Sequence, residues 1–122
     1  MKADYQILIV DDDESIRRML TAVLVREGFQ TVSACDGESG LELFRSHAPD
    51  IVLMDVRMPG ISGIEAMSAM LELRPGAAVI LMRACADICT AVQAINNGVF
   101  DFVIKPFDLA EIRLLVNRAF QM

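Results

Sequence analysis

The chain has 122 residues, 54% of them hydrophobic and only 6% aromatic, which suits one domain with an aliphatic core and excludes intrinsic disorder. Seventeen acids against eleven lysines and arginines leave a formal charge of −6, a field that disfavours direct contact with nucleic acid or an anionic membrane. Mean hydropathy is +0.44, yet the longest run without a charge, Ile88 to Phe100, is 13 residues with Gln93, Asn96, Asn97 and Gly98 inside it, too short and polar to span a bilayer.

Lys2 and Asp4 precede the first apolar run, without the basic start and long apolar core of a signal peptide. Cys35, Cys85 and Cys89 make an odd count at no framework spacing, so a reduced, cytoplasmic setting is expected. Gln6 to Val10 is a short apolar run that ends abruptly in acids and predicts a buried strand. Ile16, Met19, Leu20, Val23 and Leu24 then recur with helical spacing, with Asp13 as N-cap and Gly28 as stop. Gln30 to Ala34 is a weaker strand, and Gly37 to His47 a helix closed by Pro49. Asp50 to Met54 is a buried strand that again ends on an acid, Asp55. Met58-Pro-Gly-Ile-Ser-Gly63 is turn chemistry, followed by a helix from Ile64 to Leu73 that Pro75-Gly76 breaks. Ala78 to Met82 is a strand, and Ile88, Ala91, Val92 and Ile95 mark a fourth helix that stops near Gly98. Phe100 to Ile104 is the fifth strand, and Leu109, Ile112, Val116 and Phe120 mark the fifth helix.

Five β-α units with near-continuous apolar strands predict an α/β fold, with a parallel sheet covered by helices on both faces. Right-handed crossovers favour a doubly wound, flavodoxin-like (βα)5 sheet of order 2-1-3-4-5, a single domain over residues 1–122. In such a sheet a ligand site lies beyond the carboxyl ends of strands 1 and 3, and those ends carry Asp11, Asp12, Asp13 and Asp55.

Carboxylates gathered in one crevice repel each other, and a hard divalent ion such as Mg²⁺ suits their all-oxygen ligation, with Mn²⁺ as the alternative. A carboxylate can also attack a phosphoryl group and form an aspartyl phosphate. The competing structural reading, capping of the first helix, explains one acid well and three badly. Asp55 ends a buried strand with no helix directly behind it to cap. Lys105-Pro106 closes strand 5 on the same sheet edge. A lysine there can neutralise a phosphoryl oxygen or pair with Asp55, and Pro106 can be cis.

The runs Ile7-Leu-Ile-Val-Asp11-Asp12-Asp13, Asp50-Ile-Val-Leu-Met-Asp55-Val-Arg-Met-Pro-Gly and Phe102-Val-Ile-Lys-Pro-Phe107 resemble the receiver domain of bacterial two-component response regulators, of the chemotaxis-regulator type, across essentially the whole chain. The resemblance implies that Asp55 is the phosphoacceptor for a histidine kinase. It also implies that Asp12, Asp55 and the carbonyl of Arg57 ligate Mg²⁺, with Asp11 acting largely through water. Lys105 would contact the phosphoryl group, and Phe102 would be the aromatic whose rotamer follows phosphorylation. Asp13 matches no family role and is left as a helix cap.

One position departs from the family. Where a Thr or Ser hydroxyl would bind the phosphoryl oxygen after strand 4, this chain has Arg83, followed by the expected small residue, Ala84. A guanidinium is long and always charged. It can fold over the acids and pair with Asp55, bind the phosphoryl group itself, or snorkel to solvent. Arg57 and Cys85 fall where the family tunes access of the attacking water. Cys85 and Cys89 lack further metal ligands and suit packing, and His47 at a helix end suits a dipole contact.

Three functions compete. The first is a phosphorylation-dependent, non-enzymatic receiver. The second is a degenerate receiver that acts as a phosphorylation-independent interaction module because of Arg83. The third, an aspartyl-phosphate phosphatase, is suggested by Asp11 and Asp13 as an Asp-x-Asp opening, although such enzymes usually need a longer chain. The expected readout of the first is a shift on the face of helix 4, strand 5 and helix 5, where Asp101, Arg113 and Arg118 can pair across a homodimer. A downstream effector, as a following domain or a separate protein, is the other expected partner. Both a stand-alone receiver and the N-terminal part of a longer regulator fit this length.

Overall fold

The computed structural model describes residues 2–84 and 98–121. The aliphatic runs form β1 (Gln6–Val10), β2 (Gln30–Ala34), β3 (Ile51–Asp55), β4 (Ala78–Ala84) and β5 (Asp101–Lys105). All pair in parallel in one sheet of order β2-β1-β3-β4-β5, the flavodoxin-like order expected. Between and after them lie α1 (Glu14–Arg26), α2 (Gly37–His47), α3 (Gly63–Leu73) and a C-terminal helix, Leu109–Phe120. The fourth predicted helix, with Cys85 and Cys89, lies outside the described residues. Among the described residues no helix is long and apolar enough to cross a membrane.

Because successive strand residues face opposite sides, the central strands feed two cores. Ile7, Ile9, Leu53, Ile80, Met82 and Val103 pack with Leu20, Leu24, Ile112 and Val116 of α1 and the C-terminal helix. Leu8, Val10, Val52, Met54, Val79 and Leu81 pack with Phe44, Met67 and Met70 of α2 and α3. Each fully buried aliphatic side chain of this kind contributes about 1.5–3 kcal/mol.

Helix starts follow their caps. Asp13 accepts from the N–H groups of Ser15 and Ile16, as expected, and Asp36, Ser62 and Asp108 begin the other three described helices. Ser62 and Glu65 form a reciprocal capping box. Strand ends differ slightly from the sequence pattern. β4 runs two residues beyond Met82 because Arg83 and Ala84 pair in register with Ile104 and Lys105 of β5. β3 and β5 keep their expected length but start and end one residue later, so Asp55 and Lys105 are strand residues held in the ladder.

Candidate functional site

Asp55 and Lys105 share the strand parity of Leu53 and Val103, and both side chains therefore leave the sheet on the α1 side. Asp11 follows β1 directly and is completely buried, while Asp55 is 7% exposed. Carboxylate oxygens of Asp11, Asp12 and Asp55 lie within 4.8 Å of one another. Lys105 Nζ bridges two of them, 2.9 Å from Asp11 Oδ2 and 3.2 Å from Asp55 Oδ1. The Lys105–Pro106 peptide that follows is cis.

The acid-bearing turn is tied down locally. Asp11 Oδ1 accepts the N–H of Asp13 at 2.9 Å, and the N–H of Asp11 reaches the Ala34 carbonyl at 3.2 Å. Arg17, one turn into α1, donates to the Asp11 carbonyl at 2.6 Å. Nothing in the sequence marks Arg17 for this contact, since a helix-surface arginine carries no sign of which carbonyl it will meet. Asp13 turns its carboxylate to the helix cap, so the crevice gathers Asp11, Asp12 and Asp55, and Asp13 stands apart from them.

Electrostatics mark the same spot. Burial, and then the charge of Asp11, push the Asp55 carboxyl above the ordinary aspartate range against the pull of Lys105. Burial pulls the Lys105 ammonium down, but its hydrogen bond to Asp11 and the charges of Asp11 and Asp55 outweigh this and raise it. Three carboxylates with one ammonium leave a surplus of negative charge around hard oxygen donors. That donor chemistry fits a divalent cation of the Mg²⁺ or Mn²⁺ type.

Arg57 sits exposed two residues beyond Asp55 in the loop to α3. That loop returns closely to β3: a Cβ on Gly63 would lie 2.3 Å from the Asp55 carbonyl oxygen, so only glycine fits. The Met58 to Gly63 run reads as a turn in the sequence, and the close approach of Gly63 to β3 appears only in the packed structure.

Arg83 is half-buried and shares the parity of Val79 and Leu81, the opposite parity to Asp55. Its guanidinium carbon lies 5.6 Å from the centre of the Phe102 ring, so Arg83 and Phe102 form a cation–π pair on the α3 side of the sheet. Beside Lys105, on the α1 side, Ile16, Met19, Pro106 and Phe107 line an apolar hollow.

Comparison with known proteins adds a family pattern and close structural neighbours. The pattern described as "Response regulator receiver domain" matches residues 7–117. The regulatory protein AtoC of Escherichia coli K12 is 48% identical over 122 residues, covering 100% of this chain and 26% of its own length. This chain thus spans about a quarter of that relative. The chemotaxis protein CheY of Bacillus subtilis is 33% identical over 115 residues, covering 93% of this chain and 96% of its own. The crystal structure of the receiver domain of NtrX from Brucella abortus superposes with a TM-score of 0.89 at 32% identity, covering 95% of this chain and 98% of that one.

Proposed function

The chain belongs to the response regulator receiver domain family of two-component systems, and from that premise we propose that it accepts a phosphoryl group on Asp55 from a histidine kinase. The observation that carries this reading is the bridge of Lys105 to both Asp11 and Asp55 at the carboxyl edge of the sheet. An Asp55 oxygen attacks the phosphorus of a phosphohistidine; the P–O bond forms as the P–N bond breaks, and the imidazole leaves with its electron pair. Lys105 stays beside Asp55 and stabilises the oxygens that gain charge in transfer. Asp12, Asp55 and the Arg57 carbonyl would hold Mg²⁺, with Asp11 acting through water. When bound, that ion screens the carboxylates from each other and from the incoming phosphoryl oxygens. The hollow of Ile16, Met19, Pro106 and Phe107 gives an apolar partner surface next to Lys105.

The test is intact mass after incubation with a small phosphoryl donor and Mg²⁺. One phosphoryl group is expected on the wild type and none on Asp55→Asn; an unmodified wild type at saturating donor would sink the reading.

The contact of Arg83 with Phe102 favours one further reading, a receiver whose output is independent of phosphorylation. Arg83 puts a guanidinium where the family has a hydroxyl and holds it over the Phe102 ring, on the opposite face of the sheet from Asp55. Arg83→Thr separates the two. If oligomeric state becomes donor-dependent only in the variant, Arg83 has disabled the switch. If the wild type already responds, it has not. The expected output surfaces are the helix 4, strand 5 and helix 5 face, as a homodimer, and a downstream effector of cytoplasmic signalling.

A further inference from the structure

The loop 56–62 leaves β3 directly after Asp55 and carries Arg57. Its base is closed by backbone, since the N–H of Gly63 donates to the Val56 carbonyl at 2.8 Å. Its tip is held by a different element. Oε1 of Glu38, in the first turn of α2, accepts the N–H of Ile61 at 3.0 Å. Gly60 bends the tip at φ +83°, a conformation that favours glycine, and the Glu38 carboxylate lies directly against it. On the helix side, a Cβ on Gly37 would lie 2.6 Å from Cγ1 of Ile61. At Gly37, α2 and the loop tip therefore meet closely enough to leave no room for a side chain without moving Ile61.

Glu38 would favour the start of α2 through the helix dipole without any neighbour. The bond to Ile61 reaches 23 residues along the chain, and helix stability does not call for it. We infer that Glu38 is a positioning residue for the acceptor site: by anchoring the loop tip it holds Arg57 in place beside Asp55 for a divalent cation. The inference rests on the receiver reading above and assigns its support to a residue on a separate helix.

The test uses the unphosphorylated protein as wild type, Glu38→Ala and Glu38→Gln. Calorimetric titration with Mg²⁺ and hydrogen exchange at the Ile61 amide are the readouts. In Glu38→Ala the amide should exchange faster and Mg²⁺ should bind about threefold to tenfold more weakly, the scale of one charge-assisted hydrogen bond open to water. Glu38→Gln keeps an acceptor oxygen and should restore both. Wild-type Mg²⁺ affinity in Glu38→Ala, or a Gln variant as weak as Ala, overturns the inference and leaves the receiver reading intact. A wild type that binds no Mg²⁺ overturns the inference together with the cation part of that reading.

Discussion

The two ends of the sheet each place an aspartate beside a strand terminus, and they satisfy it by different means. At the amino end, Asp50 Oδ2 accepts the backbone N–H of Gln6 at 3.1 Å. Arg74, which lines the same recess, donates to the carbonyls of Ala48 and Pro49 and lies 4.7 Å from the Phe44 ring centre. Asp50 is matched to a fixed backbone dipole, and Arg74 to two carbonyls and an aromatic face, although its Nε is buried without a hydrogen-bond partner among the described residues. At the carboxyl end, Asp11 and Asp55 converge on the ammonium of Lys105, with Asp12 beside them. A carboxylate whose only partner is backbone has finished its work in the fold, whereas Asp11 gives Oδ1 to the Asp13 N–H and still turns Oδ2 to Lys105. A cluster with more carboxylates than cations is complete only when something positive, or a group that rearranges the charge, arrives.

The largest expected effect tests that difference directly. Lys105→Met leaves the buried Asp11 and Asp55 facing each other without their shared cation, and should cost about 3 kcal/mol of unfolding free energy in metal-free buffer. Mg²⁺ should return part of that loss. Arg74→Ala at the other end should cost about 2 kcal/mol through the lost stacking and carbonyl bonds, with no recovery in Mg²⁺. Urea unfolding of both variants, with and without the ion, gives the comparison; equal Mg²⁺ responses would erase the distinction between the two ends.

A middle-sized effect follows from the raised Asp55 carboxyl, which burial and then Asp11 hold above the ordinary range. Between the ordinary carboxylate value and the raised one, the folded chain binds more protons than the unfolded chain. Stability therefore falls as pH rises through that window. Asp55→Asn removes the penalty, so the variant should be more stable than wild type at neutral pH without Mg²⁺. The gap should close as pH drops below the ordinary carboxylate range. Denaturant midpoints across pH check this, and a variant less stable than wild type at neutral pH contradicts the assigned sign.

The strands, their order and the acids at their ends were legible in the sequence because aliphatic runs that stop at Asp11, Asp55 and Lys105 encode both burial and position. Arg83 was not. Its direction depends on the register of β4 against β5, which adds two residues to the strand and sets the side chain on the Phe102 side. Arg17 and Glu38 were missed for a related reason. Each acts on a backbone group set by the packing of another element, the Asp11 carbonyl and the Ile61 amide, and no spacing rule reports such a meeting.

Asp101 combines both treatments in one residue and yields the smallest expected effect. Its Oδ1 accepts the N–H of Phe102 at 2.7 Å, whereas its Oδ2 faces Arg118 at 3.4 Å, with the arginine side chain 58% exposed. If backbone matching is what makes a carboxylate structural here, the two oxygens should be separable. Arg118→Ala removes only the exposed pair and should change stability by less than about 0.5 kcal/mol, an effect that added salt erases. Asp101→Ala also leaves the half-buried Phe102 amide without its acceptor and should cost about 1 kcal/mol, largely independent of salt. Unfolding curves of both variants at low and high ionic strength decide it. Equal, salt-sensitive losses would mean that the ion pair carries Asp101, and that backbone matching does not distinguish structural carboxylates from the acids around Lys105.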